Sequence, residues 1–321
     1  LTRPSFDDRI QQRLEAFEPL LAAAAVARTD EVTEAASHVI RAGGKRFRPM
    51  LVFVASEFGQ GVDERALQEA AMVMELTHVA SLYHDDVMDE ADVRRGAPSA
   101  NRFYGNSVAI LVGDFLFAQA SDIVAGLGVD YVRLQARTFA RLVQGQIAET
   151  VGPADGADAL DHYLQVIADK TGSLIAASAS FGAMVAGLPQ DMVQALDRFG
   201  EEIGVVFQLS DDLIDIRSDV TGKTPGTDLR EGVPTLPVLM LRAKADPADA
   251  ALLAQIDGDL SDDERLAKVL AALRAHPIMD EAEAVVRAHA DRARQWLAVL
   301  PDGDAKDALL RVCEELVTRS A

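Results

Sequence analysis

Apolar residues recur three and four positions apart through most of this chain, and that period points to amphipathic helices. Ile10, Leu14 and Phe17 form one such stripe, and Pro19 is expected to kink or end the helix that carries it. A second helix is predicted from about Asp30 to Arg41, stopping at Gly43-Gly44. Pro49 suits the first helical position ahead of Met50–Phe58. Longer helices are predicted over roughly 63–90, 107–127, 130–151, 157–187 and 190–217. The segments 91–104, with Gly96 and Pro98, and 218–234, with Gly222, Pro225, Gly226, Gly232 and Pro234, read as loops, each following an aspartate-rich helix end. Beyond Thr235, amphipathic helices are separated by acidic turns near Asp246-Pro247, Asp257-Gly258 and Asp302-Gly303. Aromatic residues make up only 5% of the chain, so Ala, Leu and Val supply most of its apolar mass, and Ala and Leu are strong helix formers. No internal linker, low-complexity tract or solenoid period interrupts the pattern, so the expectation is all-α, with residues 1–321 as one helical domain.

The net charge of −20 argues against nucleic acid as a partner, because affinity for it comes from neutralising phosphates with Lys and Arg. An acidic protein can still bind an anionic substrate, but it needs a local basic cluster or metal ions to do so. Cys313 is the only cysteine, so no intrachain disulfide can form; it sits among Leu309, Leu310, Val312 and Leu316 and reads as a buried structural thiol. No signal-like segment opens the given sequence and no uninterrupted apolar run reaches spanning length, so the expectation is a soluble, cytoplasmic chain without a transmembrane segment.

Two acidic motifs carry the chemistry. His84-Asp85-Asp86-Val87-Met88-Asp89 closes the predicted 63–90 helix, and Asp85 and Asp89, four apart, project from one helical face. The preceding turns offer no Lys or Arg to neutralise them. Hard oxygen ligands without Cys suit Mg2+, which keeps waters and bridges to substrate phosphates. Asp211-Asp212-Leu213-Ile214-Asp215 repeats the spacing after another apolar helix. A solvated acidic helix end is the plain alternative for one such motif. It weakens for two copies, each followed by a Gly/Pro loop, and two facing clusters would cage a metal–diphosphate. Asp7-Asp8 and Asp262-Asp263 lack the third aspartate and the apolar lead-in, and they sit where Asp complements a helix start.

The cations gather beside these motifs. Lys45, Arg46 and Arg48 lie in one Gly-bounded turn, Arg94-Arg95 follow the first motif, Lys170-Thr171-Gly172 interrupts the 157–187 helix, and Lys223 follows the second motif. Each alone reads as a surface salt bridge; together they read as diphosphate ligands. His78 is either a satisfied core residue or a polar ligand near the site, and His84, next to Asp85, is read as structural or as a support for that carboxylate.

These residues resemble the trans-isoprenyl diphosphate synthase (polyprenyl synthetase) family. The likeness rests on Gly43-Gly44-Lys45-Arg46-Phe47-Arg48-Pro49, Leu82 to Asp89, Arg94-Arg95-Gly96, Gly113-Asp114, Lys170-Thr171, Phe207 to Asp215, and Gly222-Lys223 with Thr227-Asp228-Leu229, Glu231-Gly232 and Thr235-Leu236-Pro237. The motifs span residues 40 to 240. The resemblance implies long helices around a central cavity, a homodimer, and Mg2+ held by Asp85, Asp89 and Asp211 with Asp86, Asp212 and Asp215 in support. It further implies that Lys45, Arg48, His78 and Arg95 bind isopentenyl diphosphate, and that Arg94, Lys170, Thr171, Gln208 and Lys223 bind an allylic diphosphate. Val233 departs from the pattern, since many relatives carry Lys directly after Glu-Gly.

On this reading the chain ionises an allylic diphosphate with help from Mg2+, condenses the cation with isopentenyl diphosphate and loses a proton. Ala80 and Ser81 lie about one turn before Asp85, where bulky aromatics tend to stop growth early in the family. Their small size predicts a product beyond twenty carbons, with Phe115, Phe117 or Met74 as a deeper floor. The alternatives are a shorter-chain (farnesyl or geranylgeranyl) synthase, a terpene cyclase or a non-catalytic synthase subunit. The basic turn at 43–49 and Arg95 argue against the cyclase, and the presence of both acidic motifs argues against the subunit.

Overall fold

The computed structural model describes residues 4–217 and 225–320. The fold is all-α; the strands among the described residues are a short antiparallel ribbon pairing Val93 with Pro98 and Arg94 with Ala97. Contacts group the chain into two compact units. The first is Leu1–Ala140, Leu174–Asp197 and Val299–Lys306; the second is Arg141–Ser173, Arg198–Ala298 and Asp307–Ala321.

In the first unit the Glu64–Met88 helix is started by Asp63, whose carboxylate accepts from the Arg65 and Ala66 N–H groups. It buries Leu67, Ala70, Ala71, Val73, Met74, Leu76 and Val79 among others, and the hydroxyl of its fully buried Tyr83 donates to Ala35 O at 2.5 Å. The Asn106–Leu127 helix packs along it with Ala109, Val112, Gly113, Leu116, Ala120 and Val124, one face at helical spacing. That second helix qualifies the membrane expectation. By length and composition it is apolar enough to cross a bilayer, and about a third of its apolar stretch is buried within the fold. Counting uninterrupted apolar runs missed it because Gly113, Asp114 and Gln119 break the run without lowering the average enough.

Pro19 lies inside the Phe6–Ala24 helix and does not end it; Pro19 is exposed, so water can serve the Glu15 carbonyl that loses its helical donor. Two local expectations are corrected. Pro49 is the third residue of the Phe47–Ser56 helix rather than its first, and the first turn has no intrahelical N–H bonds to lose. The segments read as loops also contain short helices, Ala100–Tyr104 and Thr227–Arg230. The two acidic pairs set aside act as caps: Asp8 closes a capping box with Ser5, and Asp262 accepts from the Arg265 N–H.

In the second unit the Leu236–Lys244 helix packs on Ala159–Ile167 and on Ile278–Trp296. Cys313 is fully buried, and burial pushes its thiol up to about 11. A π turn, Ala168–Gly172, interrupts the predicted 157–187 helix, splitting it into Ala159–Ile167 and Ser173–Val185.

Candidate active site

The first aspartate motif ends the Glu64–Met88 helix, with Asp89 as its C-cap. Carboxylates there face the negative end of the helix macrodipole, a placement that costs stability unless a cation offsets it. Asp85 is half-buried and Asp89 exposed. Asp86 differs from both. It is fully buried, and Arg94 donates to its Oδ1 through Nε at 2.7 Å and Nη2 at 2.5 Å. The Ala91 N–H donates to the Asp86 carbonyl at 3.0 Å. Asp86 therefore ties down the segment after the motif, while its Oδ2 is buried with no hydrogen-bond partner.

The basic turn separates into different jobs. Arg46, in the left-handed region at φ 47°, pairs with Glu18 at 2.6 Å and with the buried Glu75 at 3.0 Å. It is a structural cation that fixes the turn. Arg95 donates to the Val39 carbonyl at 3.2 Å and to the Gly43 carbonyl, tying the ribbon to the same turn. Arg48 is left with a buried Nε that has no partner, and burial lowers its guanidinium to about 10, with Glu75 opposing and Arg95 adding to the shift. His78 lies beside this group: burial first, then Arg48, Arg95, Arg94 and Arg46, hold its imidazole well below the ordinary histidine value. Arg48, Arg94 and Arg95 thus come together around the neutral His78 as a partly desolvated cationic cluster, with Lys45 exposed on the same turn. Such a cluster, with a donor left unmade, calls for an anion.

Ala80 is fully buried and Ser81 is 6% exposed, its hydroxyl turned back onto the His78 carbonyl at 2.8 Å. Gly113 lies opposite. A Cβ there would fall 2.3 Å from His84 Nε2 and 3.2 Å from the Ala80 carbonyl, so a larger residue would displace the His84 ring from its place between the two helices. The His84 ring also meets Phe117, which stacks at a tilt on Phe139 with centroids 4.4 Å apart. Met74 is fully buried. Towards the N-terminal end of the Glu64–Met88 helix a cleft of about 570 Å³ opens, lined by Met72, Ile123, Leu127, Tyr131 and the acidic Asp63 and Glu69.

The second motif, near the end of Gln190–Arg217, repeats the division of labour within its own unit. The Asp211 side chain is 41% exposed and pairs with Arg319, whose guanidinium also lies 5.1 Å from the centre of the Phe207 ring. Asp212 is 3% exposed; its Oδ2 accepts from the Tyr163 hydroxyl at 2.5 Å and from the Leu236 N–H at 2.8 Å. Burial pushes the Asp212 carboxyl up to about 7 against the pull of those two bonds, and burial and Asp212 together push the Tyr163 hydroxyl well above its ordinary value. Asp215 accepts from the Thr227 and Asp228 N–H groups at 3.2 and 3.3 Å, and its carbonyl accepts from the Gly226 N–H at 2.9 Å.

Lys170 and Thr171 sit in the π turn, a geometry that leaves the regular helical ladder and is frequent at functional sites. Lys170 Nζ meets Glu149 at 2.5 Å. Two interior helical glycines clasp the turn. A Cβ on Gly145 would lie 2.6 Å from the Lys170 nitrogen, and one on Gly204 would lie 2.4 Å from the Gly172 Cα. Arg141 adds a brace to Asp169 at 2.8 Å and to Glu201 at 2.6 Å. Gln208 is half-buried on the Gln190–Arg217 helix. Lys223 lies outside the described residues. Among the described residues no three His, Cys, Asp or Glu side chains cluster closely enough to ligate one ion by themselves.

Sequence reasoning passed over Tyr163, Glu75, Arg319 and the two clasping glycines. Gly145 and Gly204 carried a usable signal, since glycine inside an otherwise good helix implies a close backbone approach. Tyr163 and Arg319 carried none, because their partners are distant in sequence.

A polyprenyl synthetase family model matches residues 29–273. Nonaprenyl diphosphate synthase of Mycobacterium tuberculosis is 47% identical over 293 residues, covering 90% of this chain and 88% of that protein. Among solved structures, a geranylgeranyl pyrophosphate synthase from Corynebacterium glutamicum, complexed with calcium and isoprenyl diphosphate, is similar at a TM-score of 0.89 and 44% identity, covering 99% of this chain and 98% of that one. A decaprenyl diphosphate synthase from Rhodobacter capsulatus is similar at a TM-score of 0.87 and 32% identity, covering 98% and 99%. With its motifs, its helical fold and these relatives in agreement, the chain belongs to the polyprenyl synthetase family.

Proposed function

We propose that this chain is a magnesium-dependent trans-prenyltransferase that condenses isopentenyl diphosphate repeatedly with an allylic diphosphate, giving a product longer than twenty carbons. The observation that carries the reading is the buried Arg48 Nε, unpartnered within a cluster of Arg94, Arg95 and His78 beside the first aspartate motif. A desolvated donor in that setting is stabilised by an anion such as a diphosphate.

Arg48, Arg95, Lys45 and the neutral His78 hold isopentenyl diphosphate; a neutral imidazole still donates one hydrogen bond. Arg94, Lys170, Thr171, Gln208 and Lys223 hold the allylic diphosphate. Asp85, Asp89 and Asp211 supply only hard oxygen donors, too few to close a coordination shell, which suits an ion that keeps waters and accepts phosphate oxygens. Bound there, Mg2+ would draw charge from the allylic diphosphate as its C–O bond breaks. Carbonyl and hydroxyl oxygens of the π turn and the Gln208 amide stabilise the resulting allylic cation, and apolar walls keep water from it. The released diphosphate takes the final proton, since no side chain stands out as a base.

Small, buried Ala80 and Ser81 support a long product, as does the 47% identity to a nonaprenyl diphosphate synthase. We further propose one catalytic domain, since the family match runs through both units, and a cytoplasmic homodimer. The exposed Val108, Ile110 and Leu111 on Asn106–Leu127 support the dimer, and the unpaired Cys313 fits a reducing compartment. The test is product chain length from purified protein given labelled isopentenyl diphosphate and several allylic primers. Mg2+-dependent products beyond twenty carbons are expected; a folded protein that incorporates no label ends the reading.

A further inference from the structure

Three helices of the second unit meet on one carboxylate oxygen. Asp212 Oδ2, from Gln190–Arg217, receives the Tyr163 hydroxyl of Ala159–Ile167 and the N–H of Leu236, the first residue of Leu236–Lys244. Thr235, the N-cap of that last helix, makes no side-chain capping bond, and its hydroxyl oxygen is buried without a partner. Asp212 therefore supplies from another helix the cap that Thr235 does not, and it places a carboxylate where a helix N-terminus favours one.

This contact has two consequences for the segment around it. Ahead of Leu236 the chain is held twice by the motif's own aspartates: Asp215 holds Gly226, Thr227 and Asp228, and Asp212 holds Leu236. Tyr163 also precedes Lys170 by two helical turns on a run of helix that passes directly into the π turn. A bond from Tyr163 to Asp212 thus sets the register between the segment carrying Lys170 and Thr171 and the segment carrying Asp211.

We propose that Tyr163 is a positioning residue for prenyl transfer, acting through Asp212 to hold the second aspartate motif, the π turn and the start of the Leu236–Lys244 helix in one arrangement. This rests on the function proposed above. The tyrosine does not touch substrate; its hydroxyl fixes a carboxylate that one backbone N–H alone would leave free to swing. Removing that hydroxyl keeps the ring and its packing while releasing the carboxylate.

The test is Tyr163→Phe, read in two ways. Hydrogen exchange at the Leu236 amide, measured on the substrate-free protein, is expected to speed up by about tenfold or more. In steady state, kcat is expected to fall by about tenfold with the KM for isopentenyl diphosphate held, since that substrate is assigned to other residues. Faster exchange with wild-type kcat would reduce Tyr163 to a structural cap and overturn the proposal. A lower kcat with unchanged exchange would overturn the route through Asp212. Should the phenylalanine variant fail to fold, Asp212→Asn and Asp212→Ala carry the same question. Asparagine keeps an acceptor oxygen and is expected to preserve slow Leu236 exchange, whereas alanine is not; equal exchange in the two overturns the proposal. Exchange is read without turnover, so a wild-type protein that makes no prenyl product fails the functional reading and leaves the contact tested on its own.

Discussion

Gly204→Ala puts the clasp on the π turn to a quantitative test. The added Cβ would stand 2.4 Å from the Gly172 Cα and 3.0 Å from its nitrogen, where ordinary contact begins at 3.4 Å. The obstacle is backbone, so it cannot rotate away, and one helix must retreat by about 1 Å. Alanine gains about 1 kcal/mol over glycine from helix propensity, but overpacking of this kind costs about 1–3 kcal/mol. Gly126→Ala is the matched control, because Gly126 is also helical and its Cβ would meet nothing within 4 Å. The propensity gain is shared, though smaller near the end of a helix. Gly204→Ala should therefore be less stable than Gly126→Ala by roughly 1–3 kcal/mol, read as a difference in denaturant midpoint by circular dichroism. Displacing Lys170 and Thr171 by about 1 Å should lower kcat by about 100-fold, a loss on the scale known for misplacement of that size. A Gly204→Ala protein as stable as Gly126→Ala, with undiminished kcat, would show that the clasp does not position the turn.

Asp85→Ala should lower turnover by orders of magnitude while helicity persists, whereas Asp86→Ala should also lower stability by about 2 kcal/mol, because Arg94 loses its buried partner; thermal melts beside kinetics separate the two. His78 should remain neutral in the substrate-free protein, since burial and its arginine neighbours depress its folded value below that of the unfolded chain. Its contribution is fully present above the unfolded pKa and is lost as pH falls below about 6.5, so His78→Gln should flatten the stability profile on that acid side. Ala80→Phe should shorten the product, read by chromatography of the released alcohols; an unchanged length would remove Ala80 as the gate.

The helices were legible because their apolar period is strong and their starts carry caps: Asp63, Thr29 and Asp262 all cap as a local reading would have them. The acidic and basic motifs were legible for the same reason, being local in sequence. The different tasks of neighbouring residues were not. Asp85 and Asp86 look equivalent in sequence, yet a rotation of about 100° around the helix turns one outward and buries the other against Arg94. Likewise Arg46 and Arg48 sit two apart, and only the fold shows that Glu18 and Glu75 engage the first and leave the second with an unmade bond. Pro49 misled because proline's cost depends on whether the lost donor mattered, which helix position decides, and Pro19 did not end its helix for a related reason, its exposure.

The inward-turned member of each aspartate pair makes acidic repeats an ambiguous mark of catalysis. Asp86 and Asp212 secure the segments that follow them, so a descendant that had abandoned prenyl transfer would still be under pressure to keep both. Its outer carboxylates at 85, 89 and 211 could drift while the paired pattern survived. Anyone sorting active synthases from inert scaffolds should therefore weigh those outer positions, because the inner ones are held in place by folding as well as by catalysis.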